Sequence, residues 1–185
     1  MELRNSVARY GAFSKFLHWT ITLLVLFQLY LVFWKKWMLP EKSEIAAFYI
    51  GGLHKPIGVV ILVLVITALI WRWTNPKPAF PITMPSWEKK SATLVHRLLY
   101  LGLLVMPVSG FVMSVAAGYP PNFFGLYQFP MMIEKNKAVA ELFFAIHEFT
   151  GFLMIALVFI HTFAALKHHF IDRDGVLKRM LPFGE

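Results

Sequence analysis

Four long apolar segments separated by short polar stretches dominate the chain. They cover about residues 16–34, 45–71, 94–115 and 142–166. Each approaches or exceeds the roughly 20 residues that a helix needs to cross the hydrocarbon core of a bilayer. The pattern predicts an all-α integral membrane protein, a four-helix bundle in which residues 1–185 form one transmembrane domain.

Composition agrees with this prediction and leaves little room for a separate soluble domain. Of 185 residues, 58% are hydrophobic and only 15% are charged, against the usual quarter in soluble domains. The mean hydropathy is +0.61. The first apolar run follows a basic segment, and no small-residue cleavage site comes after it. We therefore expect a retained helix and not a removed signal peptide.

The lysines and arginines predict how the bundle is oriented. Twelve of the 18 lie with the N-terminus, the second connection or the C-terminus, and six lie on the opposite side. This bias predicts that both termini of the multi-pass protein are cytoplasmic. The cations flank the spans and form no patch, which argues against nucleic-acid binding despite a pI near 9.8. The six outer cations are Lys35, Lys36, Lys42, Lys55, Lys135 and Lys137.

Prolines and glycines mark expected irregularities. Pro107 lies inside the third span and should bend it, with Ser109 and Gly110 adjoining. Pro56 either opens the second span or kinks a helix that begins near Ser43. Residues 118–130 are expected to form an irregular outer loop that lies against the bundle.

Two histidines on the fourth span are the most informative polar positions. His147 and His161 are 14 residues apart, so on one helix they point within about 40° of each other and are separated by about 21 Å. One imidazole would then lie near each membrane surface. Ionisable groups at this depth are costly and usually face the protein interior.

The predicted helix directions pair these residues with two others. His18 shares the inner leaflet with His161, and His54 shares the outer leaflet with His147. Two imidazoles alone make an incomplete zinc or copper site, whereas haem supplies four nitrogens and needs only two axial ligands. The absence of cysteine excludes disulfides and covalent c-type attachment. The pattern predicts two b-type haems; the alternative is neutral imidazoles that hydrogen-bond across helices.

Three further histidines lie near the inner surface. His96 is a rival inner ligand, or it contacts a haem propionate or a quinone. His168 and His169 lie about 31 Å from His147 along the helix, beyond the hydrocarbon core. They are either solvated or active in proton transfer, for which His168 and His96 are the candidates.

Basic side chains near the histidines have two readings. Arg72, Arg97 and Lys15 would pair with the propionates of an inner haem, or they simply mark the cytoplasmic surface. Lys55 adjoins His54 and would neutralise an outer propionate or attract an anion to the haem edge.

Several motifs together resemble the bacterial di-haem cytochrome b561 family. They include the pair His18-Trp19, the segment Met106-Pro107-Val108-Ser109-Gly110, and the pair His147-Glu148. The ending HTFAALKHHF over 161–170, followed by Asp174 and LKRMLP over 177–182, is the most specific part. The resemblance implies two b-type haems with axial ligands His18, His54, His147 and His161.

One member type of this family is a superoxide oxidase, which passes electrons from periplasmic superoxide to ubiquinone. The resemblance therefore implies an oxidoreductase whose partners are superoxide, ubiquinone and membrane lipid. The catalytic candidates are Lys55 at the outer end and His168 at the inner end. A cytochrome b subunit that exchanges electrons between the quinone pool and a partner protein is the alternative. A transporter or scaffold whose histidines only join helices is the third hypothesis.

Overall fold

A computed structural model describes residues 2–40 and 43–183; Lys42 lies outside the described residues. The described chain contains four long helices that are apolar enough to cross a membrane. We label them α1 (Ala12–Met38), α2 (Glu44–Thr74), α3 (Ser86–Ala116) and α4 (Lys137–Asp172). This confirms the predicted four-helix membrane bundle, while the sidedness of the termini stays a prediction.

Helix α2 passes through Pro56 without a break. It consists of an α-helical turn (Glu44–Ala47), a π-helical segment (Phe48–His54) and a long α-helix (Lys55–Thr74). Ser43 caps the start, because its hydroxyl accepts a hydrogen bond from the Ala46 amide at 3.1 Å. Of the two readings of Pro56, a helix that begins near Ser43 is the one observed. The wider π-helical spacing lies directly before the proline, which has no amide hydrogen to donate.

Helices α3 and α4 extend beyond the apolar windows. Helix α3 begins at Ser86, eight residues before the predicted span. The helix continues through polar residues that lie outside the hydrocarbon core. Asn136 caps α4 by accepting a hydrogen bond from the Val139 amide at 3.1 Å. The last turn of α4, His168–Asp172, is π-helical.

The connection between α3 and α4 is more ordered than the expected irregular loop. It contains an antiparallel hairpin formed by β1 (Asn122–Phe123) and β2 (Tyr127–Gln128). Gly125 lies in the turn with φ +78°, a backbone conformation that favours glycine.

The core of the bundle lies between α1 and α2. Ile21 and Leu31 from α1 pack with Ile57, Ile61 and Val65 from α2. Helix α4 packs mainly along α3. Large apolar side chains cover the outside of the bundle, as expected for a surface in contact with lipid. The space between α4 and the α1–α2 pair is where the histidines meet.

Candidate haem-binding histidine pairs

The structure brings together the histidines that the helix directions pair. The rings of His18 and His161 have centroids 6.2 Å apart. Those of His54 and His147 are 6.1 Å apart. In both pairs one ring comes from α4 and the other from α1 or α2. After their predicted sides, we call His18 and His161 the inner pair and His54 and His147 the outer pair. The pairs lie one above the other because 14 residues of α4 separate His147 from His161.

These separations fit an iron held between two imidazoles. Each metal–nitrogen bond is about 2 Å long and each ring centre lies about 1 Å farther out, so such rings have centres roughly 6 Å apart. Imidazoles in direct hydrogen-bond contact would have their nitrogens about 3 Å apart, with centres roughly 5 Å apart. Both separations are therefore compatible with a metal between the rings and are longer than a direct hydrogen bond requires.

His96 lies beside the inner pair at a shorter distance. Its ring centroid is 5.1 Å from that of His161, about 1 Å less than the spacing for axial ligation. Its Nδ1 atom lies 2.5 Å from the carbonyl oxygen of Ala92 on its own helix. By this criterion His18 is better placed than His96 to share an iron with His161.

On α3, three neighbouring residues surround the ring of His147. Its Nδ1 atom is 2.8 Å from the carbonyl oxygen of Met106 and 3.3 Å from the hydroxyl of Ser109. A Cβ atom at Gly110 would lie 2.9 Å from His147 Cε1, so only glycine admits the ring here. Because a carbonyl only accepts, the Nδ1 atom carries the hydrogen and the Nε2 lone pair is free for a metal.

His54 is positioned by α1 and by the π-helical segment that it ends. Gln28 Nε2 donates a hydrogen bond to the carbonyl oxygen of His54 at 2.8 Å. His54 Nδ1 is buried and has no hydrogen-bond partner among the described residues. A buried polar atom left without a partner is costly, so this nitrogen fits a site that binds a further group.

An apolar cleft surrounds the outer pair. All four helices contribute side chains to its lining, and part of it is open to the outside. Its walls include Leu29 of α1, Ile61 of α2, Leu103 of α3 and Ile155 of α4. A flat apolar macrocycle held by two imidazoles fits such a lining, so the residues present match a b-type haem.

Lys55 lies at the outer end, next to His54. Its Nζ atom donates a hydrogen bond to the carbonyl oxygen of Tyr119 at 2.9 Å. The hydroxyl of Ser114 donates to the same carbonyl. Lys55 therefore ties the loop after α3 to the start of the long α-helical part of α2.

Arg72 and Arg97 lie at the opposite end of the bundle from Lys55, near Lys77. The Arg72 guanidinium is 5.2 Å from the ring centroid of Tyr100. Burial lowers the pKa of Lys77 below its usual value, and the positive charges of Arg72 and Arg97 lower it further. This group of cations makes the inner end of the bundle attractive to anionic groups.

His168 is buried in a network of charged side chains at the same end. Its Nδ1 atom lies 2.7 Å from Asp174 Oδ2 and 3.0 Å from Asp172 Oδ2. Its Nε2 atom lies 3.7 Å from Glu88 Oε2. Lys167 bridges Glu88 at 2.5 Å and Asp172 at 2.7 Å. Glu88 thus joins the start of α3 to the end of α4, whereas His169 contacts the ring of Phe170.

Comparison with known proteins identifies the family. Residues 9–183 match the family described as prokaryotic cytochrome b561. The chain belongs to this family. Two similar Escherichia coli proteins are cytochrome b561 homolog 2, 32% identical over 98% of this chain and 95% of its own length, and cytochrome b561 homolog 1, 29% identical over 94% and 97%. A protein named probable superoxide oxidase CybB from Yersinia pestis is 25% identical over 94% and 96%.

Membership of the cytochrome b561 family establishes the general activity. The chain is a multi-pass protein of the bacterial inner membrane that binds b-type haem and transfers electrons across the membrane. The predicted family resemblance is thereby confirmed. Several residues that position the histidines were not predicted in these roles: Gln28, Glu88, Met106, Ser109 and Gly110. Their partners are 26 to 80 residues away in the chain, and no local pattern reveals such contacts.

Proposed function

We propose that this cytochrome b561 oxidises superoxide at its outer end and reduces ubiquinone at its inner end, using two b-type haems. His54 and His147 would hold the outer haem, and His18 and His161 the inner one. The observation that carries the proposal is the spacing of the two pairs, 6.1 and 6.2 Å between ring centroids. Bound haems would supply one-electron transfer between the two ends of the bundle.

At the outer end, the proposed task of the protein is to attract an anion. Both imidazoles of each pair would be used in holding a haem, so the residues around the outer pair would act by drawing the anion towards it. Lys55 is next to His54 and keeps two N–H groups after its bond to Tyr119. Its charge would raise the local concentration of superoxide. The name of the Yersinia pestis relative supports this substrate.

At the inner end, the proposed task is to supply protons. Two superoxide anions release two electrons and leave as O₂, while one quinone takes up two electrons and two protons to become quinol. His168, hydrogen-bonded to Asp174 at 2.7 Å, is the proposed proton donor. His96 is a second candidate. Arg72 and Arg97 would pair with the propionates of the inner haem.

Rapid mixing of the purified oxidised protein with superoxide tests the outer reaction. Fast appearance of the reduced haem spectrum, and its decay when ubiquinone is added, is expected. Lys55→Gln should slow the first phase, especially at low ionic strength. Lys137→Gln is the matched control, because the Lys137 side chain is 89% exposed and pairs with Glu141, four residues along α4.

Absence of haem reduction by superoxide would favour the alternative, a subunit that exchanges electrons between the quinone pool and a partner protein. The names of the two Escherichia coli relatives, cytochrome b561 homologs 1 and 2, mention no superoxide. Reduction of the haems by a quinol would then be the activity to measure. A purified protein without a haem absorption band would refute both functions.

Single variants test the ligand assignment. His147→Ala should remove the outer haem and leave the inner one, and His18→Ala should do the reverse. His96→Ala should leave both haems bound, because its 5.1 Å spacing from His161 is too short for shared ligation. Loss of a haem from His96→Ala but not from His18→Ala would show that the inner pair is wrong.

A further inference from the structure

Ser109 offers His147 a second hydrogen-bond acceptor. The Ser109 hydroxyl oxygen lies 3.3 Å from His147 Nδ1, next to the Met106 carbonyl oxygen at 2.8 Å. The serine is 2% exposed, so water does not compete for this contact. The Nδ1–H group therefore faces two oxygens on α3.

The direction of these bonds follows from the donors available. The Ser109 hydroxyl hydrogen is used within α3, where the carbonyl oxygen of Val105 lies 2.6 Å away and that of Met106 lies 3.0 Å away. Its oxygen lone pairs remain for the imidazole. Since Met106 can only accept, His147 must donate from Nδ1. The same tautomer leaves Nε2 as the metal ligand.

The inner pair has no such arrangement. In the described part of the chain, neither His18 nor His161 has an oxygen acceptor at hydrogen-bond distance from its ring. The other outer ring, His54, has a buried Nδ1 atom without a partner there. His147 is thus the one member of the two described pairs whose ring donates to protein oxygens.

The geometry points to Ser109 as a positioning residue that lowers the reduction potential of the outer haem relative to the inner haem. A hydrogen-bond acceptor at His147 Nδ1 makes the ligating Nε2 more electron-rich, and an electron-rich ligand favours ferric iron. This inference rests on the proposed haem between His54 and His147. A lower outer potential favours electron flow from the outer end to the inner end.

Redox titration of the purified holoprotein, followed by the absorption of each haem, tests this role. Ser109→Ala removes the acceptor and should raise the midpoint potential of the outer haem by about 30 mV. This corresponds to an about threefold shift towards the reduced form, at 59 mV per tenfold change for one electron. The inner midpoint should stay unchanged. Ser109→Thr keeps a hydroxyl and should restore the outer midpoint.

Ser114→Ala is the matched control, because Ser114 is also a buried serine of α3 but bonds the Tyr119 carbonyl. It should move neither midpoint. Ser109→Cys keeps the size but accepts more weakly, and its outer midpoint should fall between those of the wild type and Ser109→Ala.

Three results would overturn the inference. The first is an unchanged outer midpoint in a fully loaded Ser109→Ala protein, and the second is an equal shift of both haems. The third is loss of the outer haem from both Ser109→Ala and Ser109→Cys, since the hydroxyl would then build the site and not tune it. A wild-type protein that lacks an outer haem would instead refute the proposed function.

Discussion

Replacing Gly110 by alanine should expel the outer haem while the bundle stays folded. The new Cβ atom would lie 2.9 Å from His147 Cε1 and 3.1 Å from Nδ1. Carbon atoms in ordinary contact are about 3.5–4.0 Å apart, so the ring must move by about 0.6–1 Å. Metal–ligand distances tolerate only about 0.2 Å of change. The displacement is several times what the proposed iron–nitrogen bond can absorb.

The measurement is the amount of haem extracted per protein, together with the absorption spectrum. Gly110→Ala should lose about half of the bound haem, because the pair His18 and His161 lies about 21 Å away along α4 and is not touched. The remaining haem should keep the spectrum and midpoint of the inner site.

Gly51→Ala is the matched control for this substitution. A Cβ atom at Gly51 meets no described heavy atom within 4 Å, although the residue lies in the π-helical segment that leads to His54. Alanine there should preserve the haem content and should stabilise the helix by about 0.5–1 kcal/mol. Full haem content in Gly110→Ala, with an unchanged outer spectrum, would refute the assignment of His147 as a ligand.

Three more predictions follow from other contacts. Gln28→Leu removes the hydrogen bond to the His54 carbonyl and should weaken retention of the outer haem, measured by haem loss on dilution, while the inner haem is retained. Glu88→Gln removes the charge that pairs with Lys167 and should lower the melting temperature in detergent, with a smaller difference at high salt. Burial raises the pKa of Tyr10 above 10.0, partly offset by Arg72. The Tyr10 hydroxyl therefore contributes fully to stability below pH 10.0, and this contribution is lost as the pH rises through the folded-state pKa. Tyr10→Phe should flatten the resulting fall in melting temperature at alkaline pH.

Hydrophobic patterning was sufficient to predict the four helices and their approximate bounds. Long apolar runs have few alternatives, because within a membrane only a helix or a closed barrel pairs every backbone N–H and C=O group. Depth along antiparallel helices was also sufficient to predict which histidines meet. His18 and His161, for example, are 143 residues apart in the chain, and their rings are 6.2 Å apart in the structure.

Contacts between side chains and distant parts of the backbone could not be predicted from the sequence. Ser109 and Gly110 were interpreted as neighbours of a helix-bending proline and as part of a family motif, whereas the structure places them against the His147 ring. The hydrogen bond from Gln28 to His54 depends on the rotation of α1 against α2, which the even hydrophobicity of both helices does not encode. The π-helical turn before Pro56 likewise has no signal in periodicity.

The two histidine pairs are held in different ways, and this difference bears on direction of electron flow. The ring of His147 donates to α3, and the backbone of His54 is bonded to α1, so all four helices contribute to the outer site. The inner pair instead has a third imidazole beside it, that of His96. Buried oxygens beside His147 would lower the potential of an outer haem, so electrons that enter there would pass on to the inner haem. A site next to proton-carrying groups suits a reaction that must take up protons together with electrons. In the proposed function this asymmetry would favour inward flow, whereas the near-equal spacing of the two pairs would serve either direction equally well.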